Sequence, residues 1–312
     1  MNRTFVFALG VICLVGTLIF PVTPSFAGDW KRLGYGRLTT NDLIGDYGDR
    51  WRTGSVASSH VFGRDWTGNL PVSMGEILEI RFNGEVISPV SLTRPTPGDR
   101  PYAGALSLGL HTHFQRQGVE FSMGADLVMT GPQTRLDDLQ AAIHNVLNMS
   151  EPSPAVRAAQ IPNGFHPSLV SEVGYVIPLG KQAQLRPFFE VRTGVENLVR
   201  AGADFSFGRV ATRGELLVRD PVTGHRYRTV QNDKINGMTF VLGGDVARVY
   251  DSVYLPAPAY RPTDERVRLR AGVHWQGKSG RSGFYGLTWL GKEFSTQPKG
   301  QLVGSIRLKI AL

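Results

Sequence analysis

Gln140 and His144 stand four residues apart in the stretch LQAAIHNVLN, a spacing that stacks them on one helical face. His144 reads either as a solvated loop histidine or as one half of a Gln–His pair aimed at whatever the helix packs on. Asn41 and Asp42 close the run GRLTTND, and Asp46 and Asp49 follow within DLIGDYGD. Their oxygens are hard ligands suited to Ca²⁺, although the spacing is not that of an EF-hand loop and a polar turn capped by Asp explains them too. Thr53 offers a hydroxyl just beyond. Arg94 and Arg100, in TRPTPGDRPYAG, suit phosphate contact, with an internal Asp99–Arg100 pairing as the alternative. His111 and His113 share a strand face, which admits a metal pair or, with Leu106, Leu108 and Leu110 opposite, a pair of interior polar residues. The HExxH and GxSxG patterns are missing.

These residues need elements to position them, and the chain alternates. Val119, Phe121, Met123, Ala125, Leu127 and Met129 are apolar at every second place. The same period of two runs through Leu185–Val195, Ala201–Phe207, Val267–Trp275 and Ile306–Leu312. Runs of roughly 9–13 residues suit a tilted bilayer crossing better than a globular strand. Twelve such segments are expected, near 32–40, 51–63, 76–86, 103–115, 118–130, 167–178, 184–196, 198–209, 238–250, 266–276, 283–294 and 301–312. The expected fold class is an all-β, transmembrane antiparallel β-barrel of about twelve strands, against the alternative of a soluble secreted sandwich with shorter strands and a solvent-facing polar side. An even number puts 41–50, 87–102, 131–166, 251–265 and 295–300 at the outer end. Segment 210–237 is long for an inner turn, so it hides a strand or an elaborated turn. Within 131–166, Leu136, Leu139, Ile143, Val146 and Leu147 form one apolar helical face over Thr134–Asn148, with Thr134 and Asp137 placed like a capping box.

Residues 1–27 combine Arg3, an uncharged Phe5–Phe20 core and Ser25-Phe26-Ala27, which reads as a secretory signal peptide cut after Ala27. The enzyme domain is then 28–312. The only Cys, Cys13, leaves with the leader, so neither a disulfide framework nor a thiol nucleophile is expected. The 312 residues carry a net charge of +8, which an anionic partner such as phosphate-bearing lipid and solubility alone explain equally well. A mean hydropathy of −0.12 looks soluble, yet alternation dilutes a barrel's apolar face to such values.

In order along the chain stand TTND (Thr39–Asp42), DRWRTGS (Asp49–Ser55), GDRPYAG (Gly98–Gly104), TGP (Thr130–Pro132), LQAAIH (Leu139–His144) and KEFSTQ (Lys292–Gln297). This series resembles the outer-membrane lipid A 3′-O-deacylase family over essentially the whole mature chain. The resemblance implies a twelve-stranded barrel with a helix in an outer loop, in the Gram-negative outer membrane. It implies hydrolysis of the 3′-linked acyloxyacyl ester of lipid A by a histidine-activated water with Ca²⁺ stabilising the oxyanion. Carried over, His144 is the general base, Gln140 orients water or substrate, Asn41 and Asp42 hold Ca²⁺, and Thr53 is the rim threonine. Arg94 and Arg100 would meet substrate phosphate. The partners implied are lipid A or lipopolysaccharide and the membrane, with no nucleic acid, and a monomer is expected. The competing reading is a catalytically inactive structural barrel or narrow porin, in which mixed lumenal charges line a pore or pair into a plug.

Overall fold

The computed structural model describes residues 29–208, 214–230, 236–277 and 281–309. The expected signal peptide 1–27 and the terminal Leu312 lie outside them. The chain forms β1 (Lys31–Asn41), β2 (Trp51–Gly63), β3 (Ile77–Ser88), β4 (Ala103–Arg116), β5 (Val119–Thr130) and β6 (Gly164–Tyr175). A two-residue β7 (Ile177–Pro178) leads to β8 (Ala183–Thr193) and β9 (Glu196–Gly208). Then come β10 (Leu216–Arg219), β11 (Arg226–Val230), β12 (Gly237–Ser252), β13 (Arg266–Gln276), β14 (Ser282–Leu290) and β15 (Gln301–Lys309).

Twelve of these strands make one closed antiparallel barrel. β1 pairs with both β2 and β15, and β6 pairs with β8, so the sheet meets itself. Closure is what a strand-built membrane wall needs, because lipid offers no partner to a free edge. The period-two pattern sorts the side chains as expected: Leu108 and Leu110 are exposed on the outer face while His111 and His113 are buried inside. Within the lumen His111 meets Asp126 at 3.0 Å and His113 meets Glu79 at 2.7 Å, so the interior polar reading of this pair holds. Strand 283–294 ends early, at Leu290. Gly291–Phe294 instead bend over the rim, where Glu293 is surrounded by Arg52, Arg100 and Arg266.

Within the long inner segment, the described residues 214–230 form the hairpin β10–β11, packed inside the barrel. Leu216, Val218, Tyr227 and Val230 pack with Leu38, Ala57, Val61, Ile77 and Phe284 of the wall. The Tyr227 hydroxyl lies 2.7 Å from Ser59 Oγ, and Arg219 donates to Glu172 at 2.5 Å and to Asp204 at 2.9 Å. Arg268 donates to the carbonyls of Pro221 and Val222, tying down the hairpin tip. The hairpin lies directly on β1: a Cβ at Gly36 would fall 2.2 Å from the Arg228 carbonyl oxygen, so only glycine fits. A plugged lumen has a consequence for conductance. The intact protein should give no steady current across a planar bilayer, and replacing 214–230 by a short Gly-Ser link should open one. Equal currents from both would contradict the plug.

Candidate active site

At the outer end of β1, the Asn41 side chain accepts a hydrogen bond from the Leu43 amide at 2.8 Å and caps a short 3-10 turn, Asp42–Ile44. That turn buries Asp42 to 2% exposure. Its Oδ2 accepts from the Arg50 amide at 2.9 Å, and its Oδ1 lies 3.2 Å from the Thr53 hydroxyl. The loop back to β2 holds Tyr47, Asp49 and Trp51 at φ of 59°, 43° and 52°, a run of left-handed residues costly without fixed surroundings. β2 then opens with a bulge: Arg52 pairs with Ile87 and Gly54 with Val86, leaving Thr53 unpaired. Bulges re-aim side chains. Here Arg52 turns into the lumen toward Glu85 and Glu293, while the Thr53 hydroxyl reaches Asp49 Oδ1 at 2.9 Å as well as Asp42.

The helix α1 spans Leu136–Leu147, within the expected loop. It begins differently from the capping-box expectation. Thr134 sits in a preceding 3-10 turn, and the cap is Arg135 in the left-handed region with no side-chain bond. Asp137 and Asp138 in the first turn favour the helix dipole instead. A Cβ at Gly104 would lie 2.5 Å from Thr134 Oγ1, so that glycine lets the helix start close to β4. Asn148, at φ 56°, ends the helix and folds the chain back, a conformation asparagine tolerates. A second helix, α2 (Pro154–Ala158), follows in the same loop, capped by Ser153.

The fold-back matters for His144. It brings the Ser150 carbonyl oxygen 2.6 Å from Nδ1. A carbonyl only accepts, so Nδ1 carries the proton and the Nε2 lone pair is left free. Nε2 points at Asp49 Oδ1, 3.6 Å away, too far for a direct hydrogen bond. Gln140 Nε2 lies 3.4 Å from both Asp49 Oδ1 and Ser88 Oγ, and its Oε1 is buried without a partner. Gln140, His144, Thr53 and Asp42, drawn from three separate stretches of sequence, thus converge around Asp49, and Asn41 lines the same cavity.

Burial pushes the Asp42 carboxyl up to about 8, with Asp49 and Asp46 adding repulsion against the Arg50 amide and Thr53 hydroxyl. Arg50 does not relieve it, since its guanidinium pairs with Asp46 at 2.7 Å. A buried carboxylate of this kind calls for a proton or a cation, and the surrounding donors are hard oxygens, including the orphaned Gln140 Oε1. No three His, Cys, Asp or Glu side chains gather as a metal cluster among the described residues. A cation here would therefore rest on at most two carboxylates, Asp42 with Asp49 beside it, and on neutral oxygens. The donor set fits calcium better than a softer metal.

Beside this polar cluster is a cavity of about 330 Å³, between α1 and the outer wall of β1–β4. Phe82, Val86 and Leu106 line it from the wall, and Leu139, Ile143 and Leu147 from the helix. The arrangement can bind an apolar chain and present a bond at its end to a histidine and a hard-oxygen cluster. The two arginines are not brought there. Arg94 is exposed on its loop and does not line the cavity. Arg100 is buried at 1% exposure with Nη1 donating to Glu293, because Glu293 needs the charge inside the rim and Asp99 spends its oxygens on Trp51 Nε1 and the Val90 amide. Sequence reasoning placed Asp49 among the loop acids but not at the centre of the site. No sequence signal marks the Ser150 carbonyl, since any residue supplies one.

A closed twelve-stranded barrel, lipid-facing outside and plugged inside, with a buried histidine held by an outer loop against its external wall, defines an integral outer-membrane β-barrel. The family model for the outer membrane protein LpxR matches residues 11–312, so the chain belongs to that family. Among solved structures, LpxR from Salmonella typhimurium is similar with a TM-score of 0.69 at 15% identity, covering 88% of this chain and 98% of that one. The β domain of the Bordetella autotransporter BrkA follows at 0.42 and 10% identity, covering 90% of this chain and 99% of that one. A comparison with curated protein sequences returns no match.

Proposed function

We propose that this protein hydrolyses the 3′-linked acyloxyacyl ester of lipid A, at the outer leaflet, with His144 as general base. The observation that carries this reading is the His144 imidazole itself. Its tautomer is held by the Ser150 carbonyl, and its free Nε2 faces an acidic cluster at the mouth of an apolar cavity on the membrane side of the wall. Membership of the LpxR family supports an outer-membrane lipid A deacylase. The filled lumen supports an enzyme over a channel, because the barrel interior is occupied by β10–β11.

In this mechanism His144 Nε2 takes a proton from water as the water oxygen attacks the ester carbonyl. The Ser150 carbonyl stabilises the resulting imidazolium through Nδ1–H. Gln140 and Thr53 orient the reacting groups by hydrogen bonding. Collapse of the tetrahedral intermediate breaks the bond to the sugar oxygen, and the His144 imidazolium returns its proton to that oxygen. Asn41 and Asp42 would hold Ca²⁺, with Asp49 and Gln140 alongside, and when bound it supplies positive charge for the developing oxyanion. Net, one water is consumed, and a lipid A hydroxyl and an acyloxyacyl acid are released.

The test is direct. Purified, folded protein mixed with lipid A in detergent should release the intact acyloxyacyl acid, read by mass spectrometry. Release of single fatty acids from a glycerophospholipid, with lipid A untouched, would reassign the substrate.

A further inference from the structure

β3 presents Leu78, Ile80, Phe82 and Val86 outward at every second place, and Gly84 interrupts that row. Across the strands the register runs Thr39–Val56–Gly84–Leu106–Met129, so the glycine is a notch in a transverse row as well. The backbone does not require it. Gly84 is not among the glycines with positive φ, and the pairing with β2 and β4 passes through it without a bulge. Nor does a close approach require it. A Cβ there would meet only side-chain atoms, Leu106 Cδ2 at 3.2 Å and the Phe82 ring at 3.8 Å. Gly36 and Gly104 differ, since each is pressed against another part of the chain. The space above Gly84 belongs instead to the cavity under Leu139 and Ile143. A glycine inside a strand weakens it, and such positions mark where a ligand approaches closely.

We infer that this notch seats the distal part of one acyl chain of the substrate, which makes Gly84 a specificity-determining residue for chain length. The inference rests on the lipid-ester reading above. The occupant is an acyl chain because the walls around the notch are hydrocarbon, and the polar groups collect at Asp42, Thr53 and His144. A side chain at 84 would fill the floor from below. Each methylene that no longer fits should lose about fourfold in kcat/KM, about 0.8 kcal/mol.

Gly84→Ala, Gly84→Leu and Gly84→Phe should be compared on lipid A species that differ only in the length of the 3′-linked chains. The long-to-short ratio of kcat/KM should fall progressively, by about tenfold or more with Leu. In parallel, a lipid A analogue with a diazirine at the end of its 3′ chain should crosslink wild type at Leu106 and Ile143. Gly84→Phe should lose those crosslinks. The Ala and Leu variants carry the test should Phe impair folding. An unchanged length ratio and an unchanged crosslink map in folded variants would overturn the inference while leaving the hydrolase reading intact. Crosslinks at the notch, lost on substitution, in a wild type that hydrolyses nothing would sustain the notch and remove the hydrolase reading.

Discussion

Replacing His144 with Ala or Gln should lower lipid A deacylation by about 10²–10⁴-fold, the range for loss of a general base. The barrel should stay folded, as read by heat-modifiable mobility on gels. The reason lies in how little the imidazole does for stability. It sits on an outer loop and bonds Ser150, outside the barrel's ladder of strand pairs and lumenal ion pairs. A glutamine in its place would keep a hydrogen bond to that carbonyl without supplying a base, so the Gln and Ala variants should be equally inactive. A His144→Gln variant retaining near wild-type turnover would show that the water is activated elsewhere, with Asp49, 3.6 Å away, the first residue to examine.

Asp42→Asn should have the second largest effect, a loss of about 10²–10³-fold in turnover, as for removal of an oxyanion-stabilising element. It should also change stability in a way that separates charge from packing. The folded Asp42 carboxyl titrates at about 8, above its unfolded value, because of burial. The folded state then holds a proton that the unfolded chain has released, so in chelator wild-type stability should fall as pH rises from the ordinary carboxylate range toward 8. Asn is neutral throughout and should lack that slope. Ca²⁺ should flatten the wild-type slope by stabilising the ionised carboxylate and leave Asp42→Asn unmoved. Parallel slopes for the two proteins, measured as midpoints of heat modification against pH in chelator, would mean Asp42 does not carry this charge.

The barrel was legible because lipid and lumen impose a strict period of two, and all twelve expected segments correspond to barrel strands with shifts only at their ends. The end of β14 shows why the shifts occur. The outward parity of Tyr285, Leu287 and Trp289 would carry Glu293 to the lipid face; instead arginines from several strands and loops meet at the rim and draw that carboxylate in. The lumenal hairpin was visible only as an overlong turn, since a strand buried on every side carries no alternation. At the site, Asn41, Asp42, Thr53, Gln140 and His144 were readable from motif and spacing, and the structure gathers them. Arg100 was not, because a guanidinium that meets substrate phosphate and one that neutralises Glu293 look alike in sequence. Asp49 owes its place to a left-handed backbone turn and to the Thr53 bulge, neither of which a non-glycine sequence advertises.

The most direct measurement is mass spectrometry of lipid A from cells expressing wild type or His144→Ala at matched levels in the outer membrane, with parallel membrane incubations in Ca²⁺ or chelator. Wild type with Ca²⁺ should yield lipid A lighter by the 3′ acyloxyacyl group, and chelator or the substitution should abolish that product. Identical lipid A spectra from folded wild type and His144→Ala would contradict the assignment of His144 as the base acting on this ester.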